Sequence, residues 1–580
     1  MYPGSQFIWH DMSSLNNTSA TTSVIDDAPL FMQAFAADKG TEDLVEISGD
    51  DFFNMYGKIS FQKYGQAGIQ AANIINAGGR LYAKRVVADD STLANIVFTA
   101  TLIPANDGVN VKWSAIGITN CKTFDEVKAK AAELYDAEGK VFPLFVISDN
   151  GRGISGKAVR VTPDYSTSRD IGKMFYNLSV YEGTVITEKK TFTFNPDTIY
   201  NDVAYGLDVY ANKQITGTVL EDMYDLYVQE LATSLALDID VIKSYDIIFG
   251  YTYRGIAIDG FVLNAESVDL DADTGIALVN GSNGAFGDAP LATEAGRSAY
   301  TAALVKVFDG TFSDEIFDVD QHKIAAIVDA NYPDDVKDAI FNLVTFRQDC
   351  VFFRDFGTDC NTYIDIKAKK EGFADKSNYF VADYATTYLI KDPYTFKNIK
   401  VTCTYDLAAA LVSHIANNPN APVAGTINGF ILPSAIDQSI NFVPINTPTG
   451  NQKELMDNLR VNYAIFEDSN CVIQSCYTAQ AAYTQLSFIG NVLAIQRVIR
   501  AVRTACPRQR FALSTGSDLS NYATAVNNVL SDFITDFSTL RFIYNEDALK
   551  ANQKIFYASI EFAFLNWAQT EIFDIYAINN

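Results

Sequence analysis

Apolar residues first gather at Gln6 to His10. The stretch that follows, Ser13 to Ser23, is rich in Ser, Asn and Thr, which bury too little to build a core and suit a tether. Asp50 to Gly57 reads as a capped turn or short helix, and Gln66 to Ala77 as a helix stopped by Gly78 and Gly79. Leu81 to Val87 then reads as a strand. From about Ile96 to Leu270, β-branched and aromatic residues alternate between glycine or asparagine turns, as in Thr191 to Phe194 and Lys243 to Phe249. This predicts a strand-rich unit with few helices, the best being Thr123 to Tyr135 and Val219 to Leu237.

The pattern changes after the glycine-rich stretch Asn280 to Gly287. Lys323 to Ala330 reads as a strand, Pro333 to Arg347 as a helix and Cys350 to Phe356 as a strand, which is α/β alternation. Asp406 to Ala416 and Gln452 to Tyr463 read as helices. A longer one is expected from Ala479 to Thr504, where Ala482, Leu486, Ile489 and Leu493 keep helical spacing and Pro507 stops the run. Asp518 to Phe537 gives one more helix, and Lys554 to Phe564 and Glu571 to Ile578 read as strands. No internal repeat is visible.

The chain has 580 residues and is 48% hydrophobic, enough for several cores, so about two to four domains are expected. Its 39 Phe and 31 Tyr must fill interiors or meet partners. A formal charge of −26 repels phosphate backbones and points to protein as the partner and not to nucleic acid. The seven cysteines, at 121, 350, 360, 403, 471, 476 and 506, are scattered and are expected to be reduced and mostly buried. Cys471 and Cys476 are not spaced like a zinc pair, and the histidines are only His10, His322 and His414, so no metal site is expected. His414 is expected at the polar edge of its helix. The first lysine or arginine is Lys39 and no apolar run reaches the ~20 residues of a bilayer span, so the protein is expected to be made and kept in aqueous cytosol without membrane insertion.

Some motifs invite an enzymatic reading. Gly151, Gly153 and Gly156, followed by Lys157, match G-x-G-x-x-G just after the apolar strand Val141 to Ile147. A phosphate site of that kind needs a helix next, yet Ala158 to Thr162 is short, β-branched and stopped by Pro163, which favours a tight loop between strands. Asp355-Phe356-Gly357 spells the kinase D-F-G, but no H-R-D occurs to supply a base. Acidic pairs such as Asp334 and Asp335 are expected to face solvent.

Two features stand apart. Between Asp468 and Asp518 there is no acidic residue, while Arg497, Arg500, Arg503, Arg508 and Arg510 fall there. This basic island is either a face paired with acids of the same subunit or a docking surface for an acidic partner. At the C-terminus, Phe573, Ile575 and Ala577 alternate with Ile572, Tyr576 and Ile578, so a strand apolar on both faces is expected to need cover. It either closes its own sheet or is donated to a neighbour, and the apolar patch Phe7, Ile8 and Trp9 on its polar tether suits the same use.

The order of short segments resembles the contractile bacteriophage tail sheath proteins. The resemblance is carried by Pro3-Gly4, Pro29-Leu30-Phe31, Asp51-Phe52 with Tyr56-Gly57, and Gly78-Gly79-Arg80-Leu81-Tyr82 leading to Lys84-Arg85-Val86. It continues through the loop Gly151 to Lys157, Phe175 to Tyr181, Asp392-Pro393-Tyr394, Ala421-Pro422, Asn458 to Tyr463 and Lys554 to Phe564. The resemblance implies an α/β and α+β multidomain protein, with inner sheet-and-helix domains completed by strands exchanged between subunits and a β-rich outer insertion. Its implied divisions are an arm over 1–22, the first part of the inner α/β domain over 23–95, and the outer insertion over 96–270. An α/β middle domain over 271–450, an inner C-terminal domain over 451–566 and a second arm over 567–580 would follow.

The same resemblance implies a virion protein of the phage tail, assembled in the host cytoplasm as stacked hexameric rings around a tail tube. Its contraction would drive the tube through the host envelope. The implied partners are itself, the tube, baseplate and terminator proteins, with no direct nucleic acid, no cofactor, no metal and no catalysis. Phe7, Ile8, Trp9, Phe573, Ile575, Tyr576 and Ile578 would exchange between subunits, and the five arginines would face the tube. The alternatives are a nucleotide-dependent enzyme using the Gly151/Gly153/Gly156 loop, and the sheath of a non-viral contractile injection system.

Overall fold

Leu30–Phe35 is apolar on both faces except at Gln33, and such a strand is stable only with cover on both sides. A computed structural model of the chain describes residues 30–105, 108–135, 141–164, 175–192, 199–200, 203–206, 218–223, 262–266, 275–311, 314–319, 321–373, 378–417, 421–447, 450–467, 469–505, 516–545 and 557–564. In it this segment is β1 (Leu30–Phe35), with all six residues buried. There follow β2 (Val45–Ile47), α1 (Asp50–Tyr56), α2 (Phe61–Tyr64), α3 (Gln66–Asn76) and β3 (Arg80–Arg85). The expected glycine stop after α3 is present: Gly78, at φ 85°, and Gly79 send their N–H groups back to the carbonyls of Ile75 and Ile74.

The chain then leaves this unit and returns to it at nearly the same place. Asn95 exchanges backbone hydrogen bonds with Val279, and Thr92 N–H donates to Ser282 O at 2.9 Å, so the two ends of the intervening segment are tied together. Between them lie β4 (Asn95–Ala105), β5 (Gly108–Ile116), α4 (Phe124–Ala132), β6 (Val141–Asp149), β7 (Lys157–Pro163), β8 (Tyr176–Glu182), β9 (Val185–Phe192), β10 (Thr218–Asp222) and β11 (Val262–Glu266). One sheet has the order β10-β6-β4-β5-β11, and another joins Ile276–Ala277, β7, β8 and β9. Phe98 stacks on Phe145 with centroids 4.4 Å apart, and Phe145 meets Phe192 edge-on, giving this strand-rich part an aromatic core of its own. The helix expected from Val219 begins instead as a strand, because Val219 to Asp222 pair antiparallel with Ser148 to Phe145; residues 224–250 are outside those described.

After the return come α5 (Glu294–Phe308), β12 (Ala326–Val328), α6 (Asp334–Arg347), β13 (Val351–Asp355), α7 (Tyr363–Gly372), β14 (Val381–Tyr384), β15 (Thr387–Lys391), β16 (Asn398–Thr402), α8 (Thr404–Asn417), α9 (Gln452–Leu459), β17 (Ala464–Glu467), β18 (Asn470–Ile473), α10 (Ile489–Ala505), α11 (Gly516–Ser531), β19 (Phe537–Asn545) and β20 (Tyr557–Phe564). A six-stranded sheet of order β14-β13-β12-β1-β3-β2 unites the two halves of the α/β unit. All neighbours are parallel except β2 on β3. Phe31 faces Ala326 on one side and Leu81 on the other, so strands more than two hundred residues apart share one register.

Three expectations are corrected. The long helix begins at Ile489 and not at Ala479, because the Thr484 hydroxyl accepts from Leu486 N–H and Ser487 Oγ from Thr484 N–H, a side-chain cap that diverts residues 485–487 into a 3₁₀ turn. The next helix stops at Ser531, and Phe537 opens a strand. His414 lies buried against Phe430, with ring centroids 4.8 Å apart, and not at a polar edge. The cysteines at 121, 350, 360, 403, 471 and 476 are free and buried, and Asp334 and Asp335 are exposed.

Candidate assembly surface

Open parallel sheets take ligands where neighbouring strands diverge from one another, beyond their carboxyl ends. Here that point lies between β1 and β12, and side chains fill it. Gln70 Nε2 donates to Val328 O at 3.1 Å and Asp329 O at 3.0 Å. Gln33 Nε2 donates to Tyr332 Oη at 2.6 Å, and that hydroxyl donates to Ala34 O at 2.5 Å. Next to them Lys337 Nζ sits 2.7 Å from Asp355 Oδ1 and 3.2 Å from Asp329 Oδ2, with all three side chains buried. The Asp355-Phe356-Gly357 triplet is thus structural. The second Asp355 carboxylate oxygen accepts from Asn331 N–H and from the Thr402 and Thr404 hydroxyls.

The Gly151/Gly153/Gly156 loop joins β6 directly to β7, and no helix presents its amides to an anion. Its residues are occupied otherwise. Arg85 donates to Gly40 O at 3.0 Å and to Arg152 O at 2.8 Å, while Arg152 Nη2 lies 2.6 Å from Glu42 Oε2. Lys157, the lysine a phosphate would need, is held 2.7 Å from Asp149 Oδ1. A Cβ on Gly151 would come within 2.2 Å of Gly40 O, so glycine is required there by close approach and not by a ligand. The loop clamps the strand-rich part to the α/β unit and is the tight connection between strands that the sequence favours.

The C-terminal part has another character. Helices α10 and α11 bury Val498, Val502, Val526 and Leu530 together with Phe533. Against them lies the hairpin of β19 and β20, in register from Phe537↔Phe564 to Asn545↔Tyr557 with one irregularity near Phe537. Phe537 and Phe564 root one end in that core, while at the other Ile543 is 40% exposed. The sheet consists of these two strands alone among the described residues, so each presents an outer edge of N–H and C=O groups. A two-stranded sheet is marginal by itself in water. β19 was missed in the sequence although Leu540, Phe542 and Tyr544 alternate with Thr539, Arg541 and Ile543, a period of two that the preceding helix masked.

The basic island is built on the adjoining helix. Arg347 holds the Asp349 carboxylate with two hydrogen bonds, at 3.0 and 3.1 Å. Arg500 donates to Asp349 O at 3.2 Å, Arg503 reaches Asp349 Oδ2 at 3.3 Å, and Arg497 lies over the Phe533 ring at 5.4 Å. Burial lowers the Arg500 guanidinium to about 10; Asp349 opposes this, while Arg497 and Arg503 add repulsion. Arg347 and Arg503 therefore share the Asp349 carboxylate within the subunit, and Arg500 holds the backbone carbonyl of the same residue. Arg508 and Arg510 lie outside the described residues, as do Phe7, Ile8, Trp9, Phe573, Ile575, Tyr576 and Ile578.

The chain is similar to tail sheath proteins over more than nine tenths of its length. A sheath tail protein from Listeria innocua aligns with 93% of this chain and 95% of its own at 9% identity, with a TM-score of 0.47. One from Desulfitobacterium hafniense aligns with 92% of this chain and 93% of its own at 10% identity, with a TM-score of 0.43. A chain of the contracted helical sheath of the anti-feeding prophage aligns with 47% of this chain and 74% of its own at 14% identity, with a TM-score of 0.34. No family model matches the chain, and no curated protein is similar to it.

Proposed function

We propose that this chain is the sheath subunit of a contractile phage tail. It polymerises as stacked hexameric rings around a tail tube and, on a baseplate signal, shortens to drive the tube through the host envelope during genome delivery. The work comes from a difference in packing free energy between two arrangements of the same subunits, released cooperatively because packed interfaces are bistable. No nucleotide, metal or catalytic step is needed.

The observation that carries this reading is the β19–β20 hairpin: two strands with open outer edges among the described residues, in a chain whose two ends carry apolar strand-forming segments. An arm from an adjoining subunit would add main-chain hydrogen bonds to such an edge, with alternate side chains setting register. The purified protein is expected to form long striated cylinders in negative stain. A monodisperse monomer at every concentration tried would sink the proposal.

Arg500 and Arg503 are engaged by Asp349 of their own subunit, and the rest of the island, Arg497, Arg508 and Arg510, is assigned to the tube side, where excess positive charge favours an acidic partner. Changing Arg497→Glu together with Arg508→Glu is expected to leave empty sleeves intact while abolishing co-assembly with tube. Unaltered decoration of tubes by the double variant would reject the assignment.

A further inference from the structure

The hairpin of β15 and β16 turns through Asp392 to Lys397, and hydrogen bonds within the turn hold it firmly. Asp392 is buried, and its Oδ1 accepts from the N–H groups of Tyr394 at 2.8 Å and Thr395 at 3.0 Å. Its own N–H donates to Lys397 O at 2.8 Å, and Phe396 N–H donates to Asp392 O at 2.9 Å. The two aromatic residues of the turn then part company. Tyr394 is half-buried and packs on the core of the α/β unit. Phe396 is 74% exposed and makes no ring contact among the described residues.

Phe396 also has φ 56°, the left-handed region that bulky side chains avoid and that Gly or Asn enters with little strain. The chain thus holds a large apolar ring in an unfavourable backbone conformation and gains little packing for it among the described residues. Strain kept where the local fold gains nothing points to a function outside it. The ring is framed by cations as well. Lys391 and Lys397 are exposed, and neither is paired with a carboxylate among the described residues, Lys391 bonding instead to Asn398 Oδ1 at 2.6 Å. A basic, aromatic tip on a chain of formal charge −26 is electrostatically complementary to another copy of that chain.

We propose that the tip Asp392–Lys397 is a rigid docking knob that seats Phe396 in an acid-rimmed apolar recess on a second copy of this chain. The proposal rests on the self-assembling reading above and adds a contact distinct from strand exchange. The fixed turn supplies preorganisation, so little side-chain entropy is lost when the ring is buried, and a fully desolvated aromatic anchor is the type of residue on which interface affinity concentrates.

The test substitutes Phe396→Asn, which keeps the left-handed backbone and removes the ring, and separately Lys391→Glu with Lys397→Glu. Sedimentation of the full chain gives the lowest concentration at which polymer forms, and calorimetry gives the thermal midpoint. The asparagine variant is expected to melt at the wild-type temperature or above, while its polymerisation threshold rises about tenfold or more. The glutamate pair is expected to raise the threshold too. Wild-type thresholds for Phe396→Asn, or a lowered melting temperature showing that the ring serves its own subunit, would overturn the knob alone. Absence of polymer from the wild type would overturn the knob and the self-assembling reading together.

Discussion

Replacing Lys337 by Met is expected to lower the free energy of unfolding by about 3–5 kcal/mol, the usual cost of leaving a buried ion cluster without its counter-charge. The ammonium donates to Asp355 Oδ1 and Asp355 O, both at 2.7 Å, and lies 3.2 Å from Asp329 Oδ2; the side chains of all three residues are 0 or 1% exposed. Burial alone would lower the lysine's pKa, and the two carboxylates outweigh it and raise it, so the ammonium stays charged. Methionine of similar length fills the space but leaves two carboxylates facing each other in a dry interior. Burial, and then the Asp355 carboxylate, push Asp329 up to about 7 even in the wild type. Its pKa in the fold exceeds the unfolded value, so its stabilising contribution is fully present below about pH 4 and is lost as pH rises through about 7. Removing the ammonium deepens this dependence. Urea unfolding at pH 8 and pH 5.5 is the measurement: the deficit of Lys337→Met should be larger at pH 8. Equal deficits at both values would show that the carboxylates are not the source of the loss.

The reason this cluster lies so deep is visible in the elements around it. Lys323 to Phe356 was legible in the sequence because a short β-branched run, a helix opened by Pro333 and a second apolar run each carry their own period, and the structure has β12, α6 and β13 there. The same holds for α3 and its glycine stop. What the sequence did not display is which side chains those elements bring together. Asp329 directly follows β12 and Lys337 and Asp355 lie on α6 and β13, but Thr402 and Thr404, which complete the site, come from β16 and the start of α8. The clamp of Arg85 on Gly40 and Arg152 is equally non-local, and no period predicts it. Misreadings arose where two local signals competed. Ala482, Leu486, Ile489 and Leu493 keep helical spacing, yet the hydrogen bonds of Thr484 and Ser487 outbid the helix over its first turns. Around Phe537 an aromatic run adjoins a helix, and the strand was absorbed into it.

Deleting Trp567 to Asn580 is expected to leave a folded subunit that no longer polymerises. The described part of the chain reaches Phe564, which is already buried in the core shared by α10, α11 and the hairpin, so the C-terminal unit keeps its anchor without the arm. What disappears is the segment proposed to be donated. A strand of about six residues makes about three or more main-chain hydrogen bonds to an open edge, each worth about 0.5–1.5 kcal/mol net, and buries apolar side chains besides. A loss of about 4 kcal/mol raises the assembly threshold about 1000-fold. In the proposed arrangement donor and acceptor are separate surfaces of one subunit, and this gives a sharper readout than the threshold alone. A truncated chain can still receive an arm from its neighbour but passes none on, so small amounts added to wild-type protein should cap growing cylinders and shorten them. If instead the arm closes the hairpin of its own chain, the truncated protein loses the β19–β20 unit: its melting temperature falls, and it neither polymerises nor shortens the wild-type cylinders. Cylinders of normal length from the truncated chain alone would exclude both arrangements.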